Sequence, residues 1–269
     1  MKRLAVLDHG VGVIAAMVLA LSFGIATDAV AHAPNEGREY YELRIYQIFD
    51  FEKQQLMESH LREAYLPALK RAGIDRVGVF RNLKDDNDHS VFVLIPFESP
   101  EQFAGLNASL RQDEVFQNAE KAFSDRSLQD PVYQRIVSRF MKSFAGIPQM
   151  ELADYSKTLS PRIFELRLYE SHTDDHARRK INMFNEAGEI QLMRDVNMAP
   201  VFFGETLTGP DVPNLVYMLS AKDEAAHKAH WKAFIESDRW NAMKDLPEYK
   251  DTVSKIKNWY LKPTDFSRF

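Results

Sequence analysis

Two short runs of the chain carry the same set of chemically capable side chains at the same spacing. Tyr41 to Tyr46 reads YELRIY and Phe164 to Tyr169 reads FELRLY, an offset of 123 residues. In each, Glu, Arg and Tyr alternate with apolar residues, which on a strand puts Glu42, Arg44 and Tyr46 on one face and Leu43 and Ile45 on the other. Glu165, Arg167 and Tyr169 echo them. Same-face neighbours on a strand lie about 7 Å apart, so an acid, a guanidinium and a phenol are presented together. Such a face could hold a carboxylate or an enolate through the arginine, with the tyrosine donating a hydrogen bond. The simpler outcome is a self-neutralising Glu–Arg pair that fixes how two layers dock, since deleting one partner of a buried pair costs about 3–5 kcal/mol.

Histidines supply the other candidates. His60 stands on a helical run between Met57 and Leu61, where it can face a core or a cleft. His227 and His230 lie i, i+3 on a later helix beside Trp231, a place from which a ligand could be touched. His172 and His176 have the i, i+4 spacing of a zinc site, but Thr173 reads as an N-cap and Asp174 and Asp175 suit a first helical turn. The acidic run at Asp85 to Asp88 lacks the Gly and Glu of a calcium loop and reads as a hairpin turn. No metal site and no cofactor are expected. The candidate ligand-binding set is Glu42, Arg44, Tyr46, Glu165, Arg167, Tyr169, His60, His230 and Trp231, with no catalytic residue assigned.

These residues need elements to hold them. After the first strand, Leu56, Leu61, Tyr65, Leu66 and Leu69 recur at helical spacing, with Pro67 expected to kink the run and Gly73 to end it. Two apolar strands flank the KDDND turn. Ser99 and Gln102 form a capping-box start to a second helix, and VYQRIVSRFMKSF alternates as a fourth strand. The second pass runs in the same order: RIFELRLYE as a strand, a helix over the DDHARRKINMFNEAGEIQLMRDV segment, a strand pair, the helix of His227, and a final strand at DTVSKIKNWYLKP. Phe116 and Trp240 correspond at an offset of 124. Each half therefore reads β-α-β-β-α-β, a ferredoxin-like unit. A single such sheet leaves one face bare. The expected fold is α+β, two tandem ferredoxin-like units packed sheet to sheet.

YELRIY and FELRLY opening the halves, ESDRWNAM near the end of the last helix and the terminal NWYLKPTDFSRF resemble the NIPSNAP family within the dimeric α/β-barrel superfamily. The resemblance implies paired ferredoxin-like units forming an intramolecular α/β barrel and no settled reaction, since that superfamily includes cofactor-free monooxygenases, haem-degrading enzymes and small-molecule binders. In the first half the helix-end motif appears as RQDEVFQNA, with Phe116 in place of the tryptophan, so a ligand contact made by that tryptophan is not expected there.

The remaining sequence sets limits. Of 269 residues, 45% are hydrophobic and 12% aromatic, enough for a packed core. A net charge of −5 without a basic run argues against nucleic acid. There is no cysteine, no P-loop, no GxGxxG and no GxSxG, which excludes thiol chemistry and disfavours NTPases, Rossmann dehydrogenases and serine hydrolases of that type. Lys2 and Arg3 precede an apolar stretch from Val11 to Ile25 and two small-x-small sites, so residues 1–33 read as a signal peptide cleaved after Ala31 or Ala33. The alternative is an uncleaved membrane anchor, for which the stretch is short of the roughly 20 residues that span a bilayer. The expected domains are then 38–145, a linker at 146–161, and 162–269. The expected protein is exported, periplasmic and without stable membrane insertion after cleavage. It binds a small apolar or weakly acidic molecule in the barrel, lined by Arg44, Tyr46, Arg167 and Tyr169. The alternatives are a cofactor-independent monooxygenase or isomerase and a structural module that forms homo-oligomers.

Overall fold

Alternation in the first strand settles which face becomes the centre of the molecule. A computed structural model describes residues 37–154 and 162–269; the expected signal peptide and residues 155–161 of the expected linker lie outside them. The first half comprises β1 (Tyr40–Ile48), α1 (Phe51–His60), α2 (Leu66–Arg71), β2 (Gly78–Asn82), β3 (Val91–Phe97), α3 (Pro100–Gln112), α4 (Glu114–Ser124) and β4 (Tyr133–Ser143). The second comprises β5 (Ile163–Glu170), α5 (Asp174–Asn185), α6 (Glu189–Asp195), β6 (Ala199–Thr208), β7 (Asn214–Ala221), α7 (Glu224–Glu236), α8 (Asp238–Lys244) and β8 (Lys255–Pro263). The strands close into one antiparallel barrel in the order β1-β3-β2-β8-β5-β7-β6-β4. Each half supplies four strands in the ferredoxin-like order.

In β1, β3, β5 and β7 the barrel interior takes the apolar members of the alternation: Tyr41, Leu43 and Ile45 from β1, Phe92 and Leu94 from β3, Phe164, Leu166 and Leu168 from β5, Val216 and Met218 from β7. The outer face of each half-sheet is covered by that half's helices. In the first half Tyr46, Val91, Val93 and Ile95 meet Met57, Leu61, Tyr65 and Phe116. In the second, Tyr169, Phe203 and Tyr217 meet Phe184, Met193 and Phe234. β3 and β7 are buried along their whole length because both faces are covered, which is why VFVLIPF and NLVYMLSA read as unbroken apolar runs.

The halves lock by exchanging tails. Beyond β8, Thr264 N–H donates to Val79 O at 2.9 Å and Arg268 N–H to Val77 O at 3.0 Å, while the Phe269 ring packs on Phe80 and Phe164. Beyond β4, Phe144 and Glu151 donate to Phe203 O and Val201 O, both at 2.9 Å. Residues 146–151, expected as linker, are thus part of the barrel wall, with Ile147 and Met150 buried. Gly78 permits the close approach of Phe269: a Cβ there would lie 2.8 Å from that ring and 2.6 Å from the ring of Phe80.

Three helical expectations change in detail. The first run is interrupted by a π-helical turn at Leu61–Tyr65, closed by Leu66 N–H on Leu61 O, and Pro67 sits harmlessly in the first turn of α2 rather than kinking it. The long segment after β5 is two helices, because Gly188 at φ +87 ends one and starts the next. The RQDEVFQNA and ESDRWNAM motifs are helix restarts: Asp113 Oδ1 accepts from Phe116 N–H at 3.0 Å and Ser237 Oγ from Trp240 N–H at 3.1 Å.

Candidate functional site

Glu42, Arg44 and Tyr46 alternate with the interior residues Leu43 and Ile45, so they lie on the outer face of β1, beneath the first-half helices. Glu165, Arg167 and Tyr169 lie likewise under the second-half helices. The expectation that Arg44, Tyr46, Arg167 and Tyr169 line the barrel interior is therefore corrected. In β1 and β5 the period of two gives the interior to Leu43, Ile45, Leu166 and Leu168, and puts the polar set on the face that the helices cover. Both Glu–Arg sets are self-paired: Arg44 Nε lies 2.8 Å from Glu42 Oε1, and Arg167 Nη1 lies 2.8 Å from Glu165 Oε1. Ser138 of the neighbouring β4 also donates to Glu42 Oε1 at 2.7 Å.

The halves differ in what lies above these pairs. In the first, β1 and β4 form the floor and the α1–α2 run, α3 and α4 the walls of a cleft of about 230 Å³. Arg44, Tyr46 and Tyr133 come from the floor; His60, Tyr65, Asn107, Phe116, Glu120 and Phe123 come from the walls. The π-helical turn brings His60 and Tyr65 to the same cleft. The His60 ring stacks on Phe123 with centroids 3.9 Å apart, and the Arg44 guanidinium lies 5.4 Å from the Tyr65 ring centre. Among the described residues, His60 Nδ1 and the Tyr65 hydroxyl are buried without a hydrogen-bond partner. Burial pulls the His60 pKa down to about 4, leaving a neutral imidazole at physiological pH. Burial raises the Tyr65 phenol, which stays a protonated donor, and raises the Glu120 carboxyl.

In the second half the same space is filled. Aligning helix N-caps, Ser99 with Asp223 and Asp50 with Thr173, puts Trp231 opposite Asn107, Lys180 opposite Met57 and Met183 opposite His60. Trp231 Nε1–H donates to Glu165 Oε2 at 2.7 Å, and the Arg167 guanidinium lies 4.7 Å from the indole. His227 Nε2 is 2.8 Å from the same carboxylate oxygen. Burial would raise the Glu165 pKa, but its bond with His227 and the Arg167 charge outweigh that and hold it below the usual range. Lys180 and Glu189 form a buried pair at 2.7 Å, and the Tyr169 and Tyr217 hydroxyls are 2.9 Å apart.

The structure thus joins Glu165, Arg167 and Trp231 with His227, and joins Arg44, Tyr46 and His60 with Tyr65. His230 is half-buried with Nδ1 unpartnered and belongs to neither set; burial and His227 lower its pKa. Thr173 caps α5 by accepting from His176 N–H, the role the sequence suggests. Among the described residues no three metal-ligating side chains cluster, and no helix is long and apolar enough to cross a membrane. Tyr65, Asn107, Glu120 and Phe123 escape sequence reasoning. Aligning the two halves at their helix caps would expose Asn107, because the partner position holds a tryptophan.

A closed eight-stranded barrel of two ferredoxin-like half-sheets, each roofed by its own helices, defines a dimeric α/β-barrel protein with both units in one chain. Residues 164–268 match the NIPSNAP family model, and the chain carries a NIPSNAP domain there. No curated protein matches the chain significantly. Among solved structures, the barrel is similar to a provisionally named monooxygenase from Fusobacterium nucleatum (8% identity, 85% of this chain, 93% of that one, TM-score 0.54). It is also similar to a provisionally named monooxygenase from Lactobacillus acidophilus (10% identity, 84% and 94%, TM-score 0.53). A third is an anthrone oxidase-like protein (11% identity, 86% and 93%, TM-score 0.50). At these identities the likeness is one of fold.

Proposed function

We propose that the protein binds a small, apolar, weakly acidic molecule in the first-half cleft between sheet and helices. One observation carries this reading: His60 Nδ1 and the Tyr65 hydroxyl are buried without partners in the walls of a cleft floored by Arg44. Buried polar groups are ordinarily satisfied, and an unmet one costs about 1–3 kcal/mol. A ligand oxygen near Tyr65 and Arg44 and a ligand proton at His60 would recover that cost. The rings of Phe116, Phe123 and Tyr133 suit a flat body. On this reading residues 38–145 are a diverged NIPSNAP-like unit that binds, and the second half is its closed counterpart. The protein is exported, as the basic start and apolar stretch before residue 33 suggest. The mass of the periplasmic protein checks this, by showing a start at residue 32 or 34.

A second reading rests on the lone pair of the neutral His60. A weakly acidic CH2 next to a carbonyl could lose a proton to His60 while Arg44 stabilises the enolate. The carbanion would then reduce dioxygen, the CH2 becoming C=O and the second oxygen atom leaving as water, with no external reductant. The monooxygenase-like folds noted above are compatible with such chemistry.

Anthrone tests both readings. Anaerobic calorimetry should show binding that weakens at least tenfold in Arg44→Met. No binding would overturn the cleft as a ligand site. Oxygen uptake with anthrone that disappears in His60→Gln, while binding remains, would establish the enzyme reading, and binding without uptake would remove it.

A further inference from the structure

A second polar–apolar cavity lies away from both helix layers, at one end of the barrel. Register identifies it as interior: Arg139 pairs with Leu43, Lys257 with Leu168, Trp259 with Leu166, and Phe92 and Val137 both with Ile45. Directly opposite residues share a face, so Arg139, Lys257 and Trp259 point into the lumen. With Ile45, Phe92 and Val137 they line a cavity of about 310 Å³. Trp259 and Phe92 form a tilted aromatic pair with centroids 6.0 Å apart.

Arg139 is only 4% exposed, and among the described residues its Nε–H is buried with no acceptor. Its ion-pair partner among the described residues is Asp211, 3.3 Å from Nη2, in the turn between β6 and β7. That turn is tied down. Asn214 donates to Pro210 O at 3.0 Å and Asp211 O at 2.8 Å, and accepts from Thr206 at 2.6 Å. Gly209 lets the turn lie on Arg139 itself, since a Cβ there would stand 2.9 Å from Arg139 Cγ. The turn thus holds Asp211 on one edge of the guanidinium and leaves the Nε edge unmet. Burial lowers the Arg139 pKa, as expected of a guanidinium short of acceptors.

The charges select the ligand class. Lys257 pairs with Glu170 at 2.7 Å and with Asp211 at 2.9 Å. Arg139 and Lys257 are therefore balanced by Asp211 and Glu170, and Asp88 is engaged by Asn82 and the Ser90 N–H. A further anion would enter an already neutralised site beside three carboxylates. We propose that the barrel mouth is a binding site for a neutral, flat, carbonyl-bearing molecule, whose oxygen accepts from Arg139 Nε–H and whose ring lies against Trp259 and Phe92. This site shares no residue with the first-half cleft.

The test uses 1-tetralone, its acceptor-free analogue tetralin and the anionic 1-naphthoate. The reporter is the Arg139 Nε–H cross-peak in the NMR spectrum of the whole protein. The ketone should move that peak saturably, tetralin should leave it in place, and Arg139→Gln should weaken ketone binding at least tenfold. The wild-type titration stands alone should Arg139→Gln fold poorly. A peak unmoved by the ketone, tetralin binding as tightly as the ketone, or stronger binding of 1-naphthoate would each overturn the proposal.

Discussion

Trp231 donates its indole N–H to Glu165 across 2.7 Å, and at the matching turn of α3 the chain has Asn107, which leaves the first-half cleft open. Trp231 opposite Asn107 is one of the differences between corresponding helices that separate a filled layer from a hollow one. Lys180 opposite Met57 and Trp240 opposite Phe116 act in the same sense. The half that matches the NIPSNAP family model is thus the one whose Glu165 carboxylate is covered by His227 and Trp231.

Exchanging these two side chains should exchange the properties. Trp231→Asn removes a large ring from beside Glu165 and Arg167 and should destabilise by about 3–5 kcal/mol, read from urea unfolding. Asn107→Trp should keep the fold and abolish anthrone binding in the first-half cleft. Undiminished binding in Asn107→Trp would place the ligand elsewhere.

The buried Lys180–Glu189 pair should behave as a unit. Burial raises the Glu189 pKa, and Lys180 works against that rise. Removing one partner leaves an uncompensated charge, so Lys180→Met should cost about 3–5 kcal/mol, while Lys180→Met combined with Glu189→Leu should recover most of it. Met57 at the position matching Lys180 shows the fold accepting the apolar choice. Additive losses in the double-mutant cycle would mean the two side chains do not interact.

His60 should titrate near pH 4, as followed by its ring proton in NMR. Its folded pKa lies below the unfolded value of about 6.5, so the unfolded chain binds the proton first. The stability His60 contributes is full above pH about 6.5 and is lost as pH falls through 4. His60→Gln should flatten the stability profile across that window. A midpoint above 6 would place the ring in water and remove it from the cleft walls.

Local alternation and the repeated strand make two ferredoxin-like units packed sheet to sheet legible in the residues themselves, because strand period and the need to cover a bare sheet face are properties of sequence alone. Closure into a barrel is legible only through the family resemblance. The same alternation assigns Leu43 and Ile45 to one face and Arg44 to the other. It does not say which face is the lumen. That choice depends on where the helices pack, a tertiary fact, so a pocket inferred from alternation falls on the wrong side of the sheet. The tail exchange around Phe269 and the inward turn of Arg139 are non-local in the same way: each is fixed by register with a strand more than 90 residues distant. Gly188 carries a readable helix-break signal that periodicity in the flanking residues masks.

Glu165 makes the sealed half sensitive to acid. At 1% exposure it is held ionised by His227 and Arg167 against the cost of its burial, with a folded pKa below that of the unfolded chain. A depressed carboxylate contributes stability above its unfolded pKa, about 4.3, and that contribution disappears as pH falls through the folded value. Glu165→Gln should therefore be less stable than the wild type at neutral pH, with the difference narrowing as the pH is lowered to about 3. Thermal melts of the two proteins across this range decide the matter. Parallel profiles would show that Glu165 has the same proton affinity folded and unfolded, and that the Trp231 and Arg167 contacts act through packing rather than charge.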